Sequence, residues 1–237
     1  MTSEARDVAV VSGGGSGIGR EIALALARRG HPLALLGRRV EVLQGTLADA
    51  GVEDSLALAC DVRDPAAVEQ AAAAIAARWG AAEIVVPAAG VAHIRPLDDL
   101  QPHEFSETID TNLTGAFLLI HALLPAMKQR GRGRIFPILS VAARRGFPGW
   151  SAYCASKWGL AGMIAALREE LRGSGVHITA VYPGATDTPI WEGVPGEWNR
   201  DAMVPPAEVA RAVAYALDAP ESTLVEEVHL GPAGGAL

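Results

Sequence analysis

Three residues in one stretch carry usable chemistry: Ser140, Tyr153 and Lys157, within SVAARRGFPGWSAYCASK. Tyr153 and Lys157 stand at i and i+4, neighbours on one helix face with Cβ atoms about 5–6 Å apart. An ammonium beside a phenol favours the phenolate and draws a tyrosine below its usual pKa of about 10. A tyrosine so placed is a proton donor and acceptor usable near neutral pH. Ser140 closes the apolar run Ile135 to Leu139, which reads as a buried strand. Its hydroxyl then lies at the strand's carboxyl end, where open α/β sheets bind ligands. Taken alone, the stretch is equally an ordinary strand, loop and helix with a surface Tyr-Lys pair. The elements around it decide between the two.

Those elements alternate strand and helix from the start. Val8 to Val11 reads as a buried parallel strand and Arg20 to Arg29 as a helix. Between them lies Ser12-Gly13-Gly14-Gly15-Ser16-Gly17-Ile18-Gly19. A glycine-rich turn from strand to helix lets the backbone approach a pyrophosphate, and the helix N-terminus offers unpaired N–H groups to it. The spacing is G-x-x-x-G-x-G, on Gly13, Gly17 and Gly19, rather than G-x-G-x-x-G. A merely flexible loop is the bland alternative; its place between strand and helix favours nucleotide binding.

A second strand, Leu33 to Leu36, ends in Gly37-Arg38-Arg39. NAD-binding units of this kind place an acid there to hold the ribose 2′-hydroxyl. An arginine in its stead predicts a 2′-phosphate and so NADP(H), with NAD(H) less favoured; otherwise Arg38 and Arg39 simply begin a solvated helix.

The pattern continues with helix 40–50, strand Ser55 to Cys60 followed by Asp61, a helix opened by Asp64-Pro65, and strand Ile84 to Val86. Phe105, Ile109, Leu113, Phe117, Ile120 and Leu124 recur at helical spacing. Asn112 lies beside that stripe, bonding backbone groups, holding a water near the site, or both. Arg134 to Ser140 reads as a strand in which Pro137 is awkward, because proline cannot donate to a ladder. Ser151 to Leu171 reads as a helix and Val176 to Tyr182 as a strand ending in Pro183-Gly184. Residues 186–205 read as a mobile flap, Pro206 to Leu217 as a helix and Val225 to Leu230 as the last strand. The fold class is α/β, one domain over residues 1–237, with a parallel sheet and helices on both faces.

Composition narrows the function. The 237 residues suit one large domain, and the net charge of −7 argues against nucleic-acid binding. Cys60 and Cys154, the only cysteines, form no disulfide framework and no metal-ligand spacing. With no apolar run of about 18 residues and no signal-like N-terminus, the expectation is a cytoplasmic protein away from membranes.

Taken in order, these motifs resemble the short-chain dehydrogenase/reductase family over nearly the whole chain. Gly13, Gly17 and Gly19 match its T-G-x-x-x-G-x-G, with Ser12 for the Thr; Gly15, Ser16 and Ile18 lie within it. Asp61-Val62 matches its position at the adenine end, and Pro183-Gly184 with Thr188 its P-G-x-x-x-T segment, which includes Thr186. Asn112, Ser140, Tyr153 and Lys157 match its catalytic residues. The resemblance implies a doubly wound sheet of about seven strands, NAD(P)(H) bound by these residues and by Arg38, Ala89 and Gly90, and interconversion of an alcohol and a carbonyl compound. Tyr153 would be the acid/base, Lys157 would also hold the nicotinamide ribose, Ser140 would bind the substrate oxygen, and Asn112 would anchor a water. A homodimer or homotetramer, built on the long helices, is also implied.

Where the family has N-N-A-G, this chain has Pro87-Ala88-Ala89-Gly90, without either amide. The tail GPAGGAL lacks the ending of the 3-oxoacyl-carrier-protein reductases. A regulatory dinucleotide-binding protein that has lost catalysis is the competing reading. The altered P-A-A-G segment favours it; the intact Asn112, Ser140, Tyr153 and Lys157 favour the enzyme.

Overall fold

The innermost strands of the sheet are apolar on both sides because helices cover both sides. In β1 (Ala9–Ser12) and the residue before it, Val8 and Val10 point into one core, and Ala9 and Val11 into the other. The computed structural model describes residues 7–220 and 222–235; the first six residues and the end of the GPAGGAL tail lie outside the described residues.

After β1 come α1 (Gly17–Ala27), β2 (Leu33–Gly37), α2 (Val40–Ala50), β3 (Ser55–Ala59), α3 (Pro65–Trp79) and β4 (Ile84–Pro87). Then follow α4 (Pro102–Ile109), a π-helical turn (Asp110–Thr114), α5 (Gly115–Arg130), β5 (Gly133–Ile135), α6 (Ser151–Glu170), β6 (Val176–Ile178), β7 (Ala180–Pro183), α7 (Pro206–Leu217) and β8 (Glu227–Leu230). The parallel strands run in the order β3-β2-β1-β4-β5-β6, with β7 and β8 paired as a separate two-stranded unit. This is the doubly wound α/β class expected. One core holds Val68 and Ile75 of α3, Leu119 and Leu123 of α5 and Leu160 of α6. The other holds Ile22 and Leu26 of α1, Leu43 of α2 and Val209 of α7. The chain reverses direction across the sheet between β1 and β4, and the crevice beyond their carboxyl ends is where such sheets bind ligands.

The strand count differs from the expected seven, and proline explains part of it. The strand read over Arg134 to Ser140 is regular only to Ile135, because Pro137 has no N–H to give. The chain stays extended regardless: Phe136 N donates to Val85 O at 2.8 Å, Ile138 N to Pro87 O at 3.1 Å and Leu139 N to Val181 O at 2.8 Å. The strand read over Val176 to Tyr182 is two, β6 and β7. The last strand starts at Glu227 rather than Val225.

α4, the π-turn and α5 form one continuous helix, Pro102–Arg130, long and apolar enough to cross a membrane by length and composition. The sequence reading had no such segment. Here Leu119, Leu123 and Met127 pack it into the core. The flap region carries two short 3₁₀ turns, Pro189–Gly193 and Arg200–Ala202. Its base is closed: Asp187 N donates to Val204 O at 3.0 Å, Val204 N to Ala185 O at 2.9 Å, and Arg200 to Thr188 O at 2.9 Å.

Candidate active site

The glycine turn is tight enough that its glycines are obligatory. Gly13 has φ +68°, and a Cβ there would lie 2.9 Å from the Ala89 backbone. A Cβ on Gly19 would run into the Gly13 carbonyl, 2.9 Å from its carbon and closer still to its oxygen. Gly17, at φ +52°, faces Thr188, whose Cγ2 would be 3.1 Å from an added Cβ. The turn and the Pro183–Thr188 segment therefore meet across the crevice. No side chain caps α1, so its first-turn N–H groups are open to an anion.

The P-A-A-G segment is held without asparagines of its own. Ser12 Oγ accepts from Ala88 N at 3.2 Å and Ala89 N at 3.3 Å. Asn112 Oδ1 accepts from Val91 N at 2.9 Å, while its Nδ2 donates to Val91 O at 2.9 Å and Ser156 Oγ at 3.0 Å. Both amide hydrogens of this buried residue are engaged. The side chain is a clamp on the loop, as the backbone-bonding reading has it. A π-turn at this point adds one residue to the helical turn and re-aims the side chains on it. Ser12 and Asn112 thus lie behind the wall of the site and fix its backbone.

The other expected residues line two joined depressions. The larger, about 780 Å³, is lined by Gly13, Ser16, Gly17, Ile18, Gly19, Ala89 and Gly90 at one end. Ser140, Tyr153, Lys157, Pro183, Gly184, Thr186 and Thr188 line the rest of it. The smaller, about 180 Å³, lies over the ends of β2 and β3 and is lined by Gly15, Arg38, Asp61 and Val62, with Arg39 and Arg63.

At the catalytic end, Lys157 is buried and donates to Ile138 O at 2.8 Å. Its Nζ lies 5.5 Å from the centre of the Tyr153 ring. Burial pulls the lysine down to about 8. Withdrawal of the Tyr153 phenol from solvent pushes it up to about 12, against a hydrogen bond from Ser140 that favours the phenolate. This reverses the lowered tyrosine expected from the i, i+4 spacing. Desolvation of the phenol comes first, and the same burial disfavours the ammonium charge that would offset it. The Ser140 hydroxyl also accepts from Ala142 N at 3.1 Å.

At the other end, Arg63 forks onto Asp61 at 2.7–3.1 Å and reaches Glu107 at 3.1 Å. The Arg63 guanidinium holds the Asp61 carboxyl below the usual range. Arg38 is exposed and makes no short salt bridge among the described residues, though its charge is felt at Asp61. The sequence reading missed Arg63, although D-V-R places it two residues from Asp61. It also missed the Ile138 carbonyl and Ser156, which no side-chain pattern marks.

These residues fit a dinucleotide: a cradle that any Cβ would fill, an uncapped helix N-terminus above it, and an exposed guanidinium beyond β2. The comparisons agree. The short chain dehydrogenase family model matches residues 7–197. A sepiapterin reductase of Chlorobaculum tepidum is 37% identical over 97% of this chain and 98% of its own. The alcohol dehydrogenase of the archaeon Thermococcus sibiricus, solved with 5-hydroxy-NADP, superposes with a TM-score of 0.88 at 30% identity, covering 98% of this chain and 99% of that one. An actinorhodin polyketide ketoreductase solved with NADPH gives a TM-score of 0.88 at 31% identity, covering 98% of each chain. With its glycine cradle, its Ser-Tyr-Lys cleft and a family match over residues 7–197, the chain belongs to the short-chain dehydrogenase/reductase family of NAD(P)-dependent oxidoreductases.

Proposed function

We propose that the chain interconverts an alcohol and a ketone or aldehyde with NADP(H), as one catalytic domain in which Tyr153 is the proton donor and acceptor. The observation that carries this is the grouping of the Tyr153 phenol, the Ser140 hydroxyl and the Lys157 ammonium in the same cleft as the glycine cradle. When bound, the nicotinamide supplies or accepts the hydride. Gly13, Gly17 and Gly19 admit the pyrophosphate to the backbone, and the α1 N-terminus faces it. Ser140 orients the substrate oxygen, and Tyr153 gives it a proton in reduction or takes one in oxidation. Below about pH 8 Lys157 carries its charge and stabilises the phenolate left behind. Consumption of NADPH against a panel of ketones and aldehydes tests the reading; binding of NADPH with no turnover of any of them supports the regulatory alternative.

NADP(H) preference is assigned to Arg38. Gly37 leaves room for a 2′-phosphate, and a guanidinium fork binds it in a bidentate way. Losing one charge-assisted contact costs about 1.5–3 kcal/mol, roughly ten- to a hundredfold in affinity. Arg38→Ala is therefore expected to remove most of the preference for NADPH over NADH in calorimetric titrations. Equal affinities in the wild type, or a preference the substitution leaves intact, would sink the assignment.

A homodimer or homotetramer is proposed on the outer faces of α4, α5 and α6. Phe105, Phe117 and Trp158 stand 40%, 45% and 52% exposed there, more apolar surface than one helix layer leaves bare. Light scattering at micromolar concentration is expected to give at least twice the chain mass; a monomer would count against it.

A further inference from the structure

Aromatic residues make up only 5% of the chain, yet five of them gather on one wall of the larger cleft. Trp150 meets the Tyr153 ring edge-on at 5.4 Å and Phe147 at 5.9 Å. It also meets Trp191 edge-on at 5.9 Å, and Trp191 meets Trp198 at 4.8 Å. All five line the cleft that holds Ser140 and Lys157. They come from two separate segments: the approach to α6 with its first turn, and residues 186–205.

The indole N–H groups of Trp191 and Trp198 are spent on their own segment, on Thr186 O at 2.8 Å and Pro195 O at 3.2 Å. What these two rings offer the cleft is carbon. Phe147, Trp150, Trp191 and Trp198 are each half-buried, packed against one another with surface left open. The Arg145 guanidinium lies over Phe147 at 4.7 Å and extends the wall with a further flat, weakly hydrated group. Fastening of residues 186–205 does not account for the rings. The hydrogen bonds of Asp187, Val204 and Arg200 already close the base of that segment.

We propose that the carbonyl substrate is planar and aromatic, an aryl ketone or aryl aldehyde whose ring packs into this wall while its oxygen reaches Ser140 and Tyr153. The proposal rests on the oxidoreductase reading above. Aromatic rings prefer offset or edge-on neighbours, and the wall offers ring faces and edges at the angles such contacts use. An alicyclic ketone of equal size buries similar area without those contacts.

The test compares acetophenone with cyclohexyl methyl ketone, in wild type, Trp191→Leu and Trp198→Ala, with NADPH. The preference for the aryl ketone in kcat/KM, taken relative to its wild-type value, cancels the different intrinsic reactivity of the two carbonyls. Each substitution is expected to lower that preference roughly three- to tenfold, mainly through KM, the usual worth of an aromatic pair. NADPH affinity should be unchanged in Trp198→Ala, which shows that this variant is folded; Trp191→Leu also gives up the bond to Thr186 O, so its fold is checked by its melting temperature. A preference unaltered in both variants would overturn the proposal. If neither ketone turns over, calorimetric binding of the two in the presence of NADP⁺ decides it. Tighter binding of acetophenone that weakens in Trp198→Ala would uphold the substrate class while counting against the oxidoreductase reading. Equal binding of the two ketones would overturn the substrate class.

Discussion

Tyr153→Phe is expected to lower turnover about 10²–10⁴-fold, the usual worth of acid–base catalysis, with NADPH binding essentially unchanged. The substitution keeps the ring, and with it the edge-on contact to Trp150 and the packing over Lys157. It removes only the hydroxyl, which faces the cleft with Ser140. The glycine cradle, Arg38 and the Pro183–Thr188 segment are untouched. Steady-state rates with NADPH, paired with a fluorescence titration of the cofactor, separate the two effects. Near-normal turnover would remove Tyr153 from the proton-transfer role, whatever the cofactor affinity.

Gly19→Ala is expected to damage both stability and cofactor binding. The added methyl meets backbone, the Gly13 carbonyl, rather than the yielding end of a side chain. Relief requires Gly13 to move, yet Gly13 is wedged against Ala89 and held at a positive φ. Overpacking of this kind costs about 1–3 kcal/mol, or a melting temperature lower by several degrees in a chain of this size, at about 2–4 °C per kcal/mol. Displacement of the cradle should weaken NADPH by at least about tenfold, because close backbone approach to the pyrophosphate is what the turn provides. Gly45→Ala is the control. It lies in α2, where an added Cβ meets nothing within 4 Å, and replacing glycine within a helix is worth about 0.5–1 kcal/mol of added stability. Differential scanning calorimetry of both variants should therefore give shifts of opposite sign. A Gly19→Ala protein with wild-type stability and cofactor affinity would show that the turn is not constrained as its geometry indicates.

What was legible in the sequence follows the range of the forces involved. α2 and α7 begin and end as read, at Val40–Ala50 and Pro206–Leu217. Local chemistry sets those ends: Gly51 takes the left-handed conformation after α2, and Pro206 fits the first turn of α7. The alternation of strands and helices gave the fold class for the same reason. The strand through Pro137 was read too long, because its extension past Ile135 depends on partners in β4 and β7 rather than on its own residues. The π-turn at Asn112 left no mark, since one extra residue hardly disturbs a helical apolar stripe.

At the site, residue types were legible and their duties less so. Ser12 and Asn112, expected at the cofactor and catalytic positions, also hold the backbone of the segment from Ala88 to Val91. That answers how a P-A-A-G segment keeps its shape without amide side chains. The tyrosine shift was read with the wrong sign because spacing gives the distance between Tyr153 and Lys157, but not the dielectric around them. The sequence offers Trp150, Trp191 and Trp198 as pocket residues, but the contact of Trp150 with Trp191, across two segments, is made only by tertiary folding.

The most direct test is reduction of a ketone by the wild-type protein with NADPH carrying deuterium at both nicotinamide C4 positions, with the alcohol product examined by mass spectrometry. The expected product carries one deuterium on the carbinol carbon, and Tyr153→Phe, with NADPH bound as tightly, forms it about 10²–10⁴-fold more slowly. Bound NADPH that yields no deuterated alcohol from any ketone or aldehyde would contradict the assignment of this chain as a catalyst of hydride transfer.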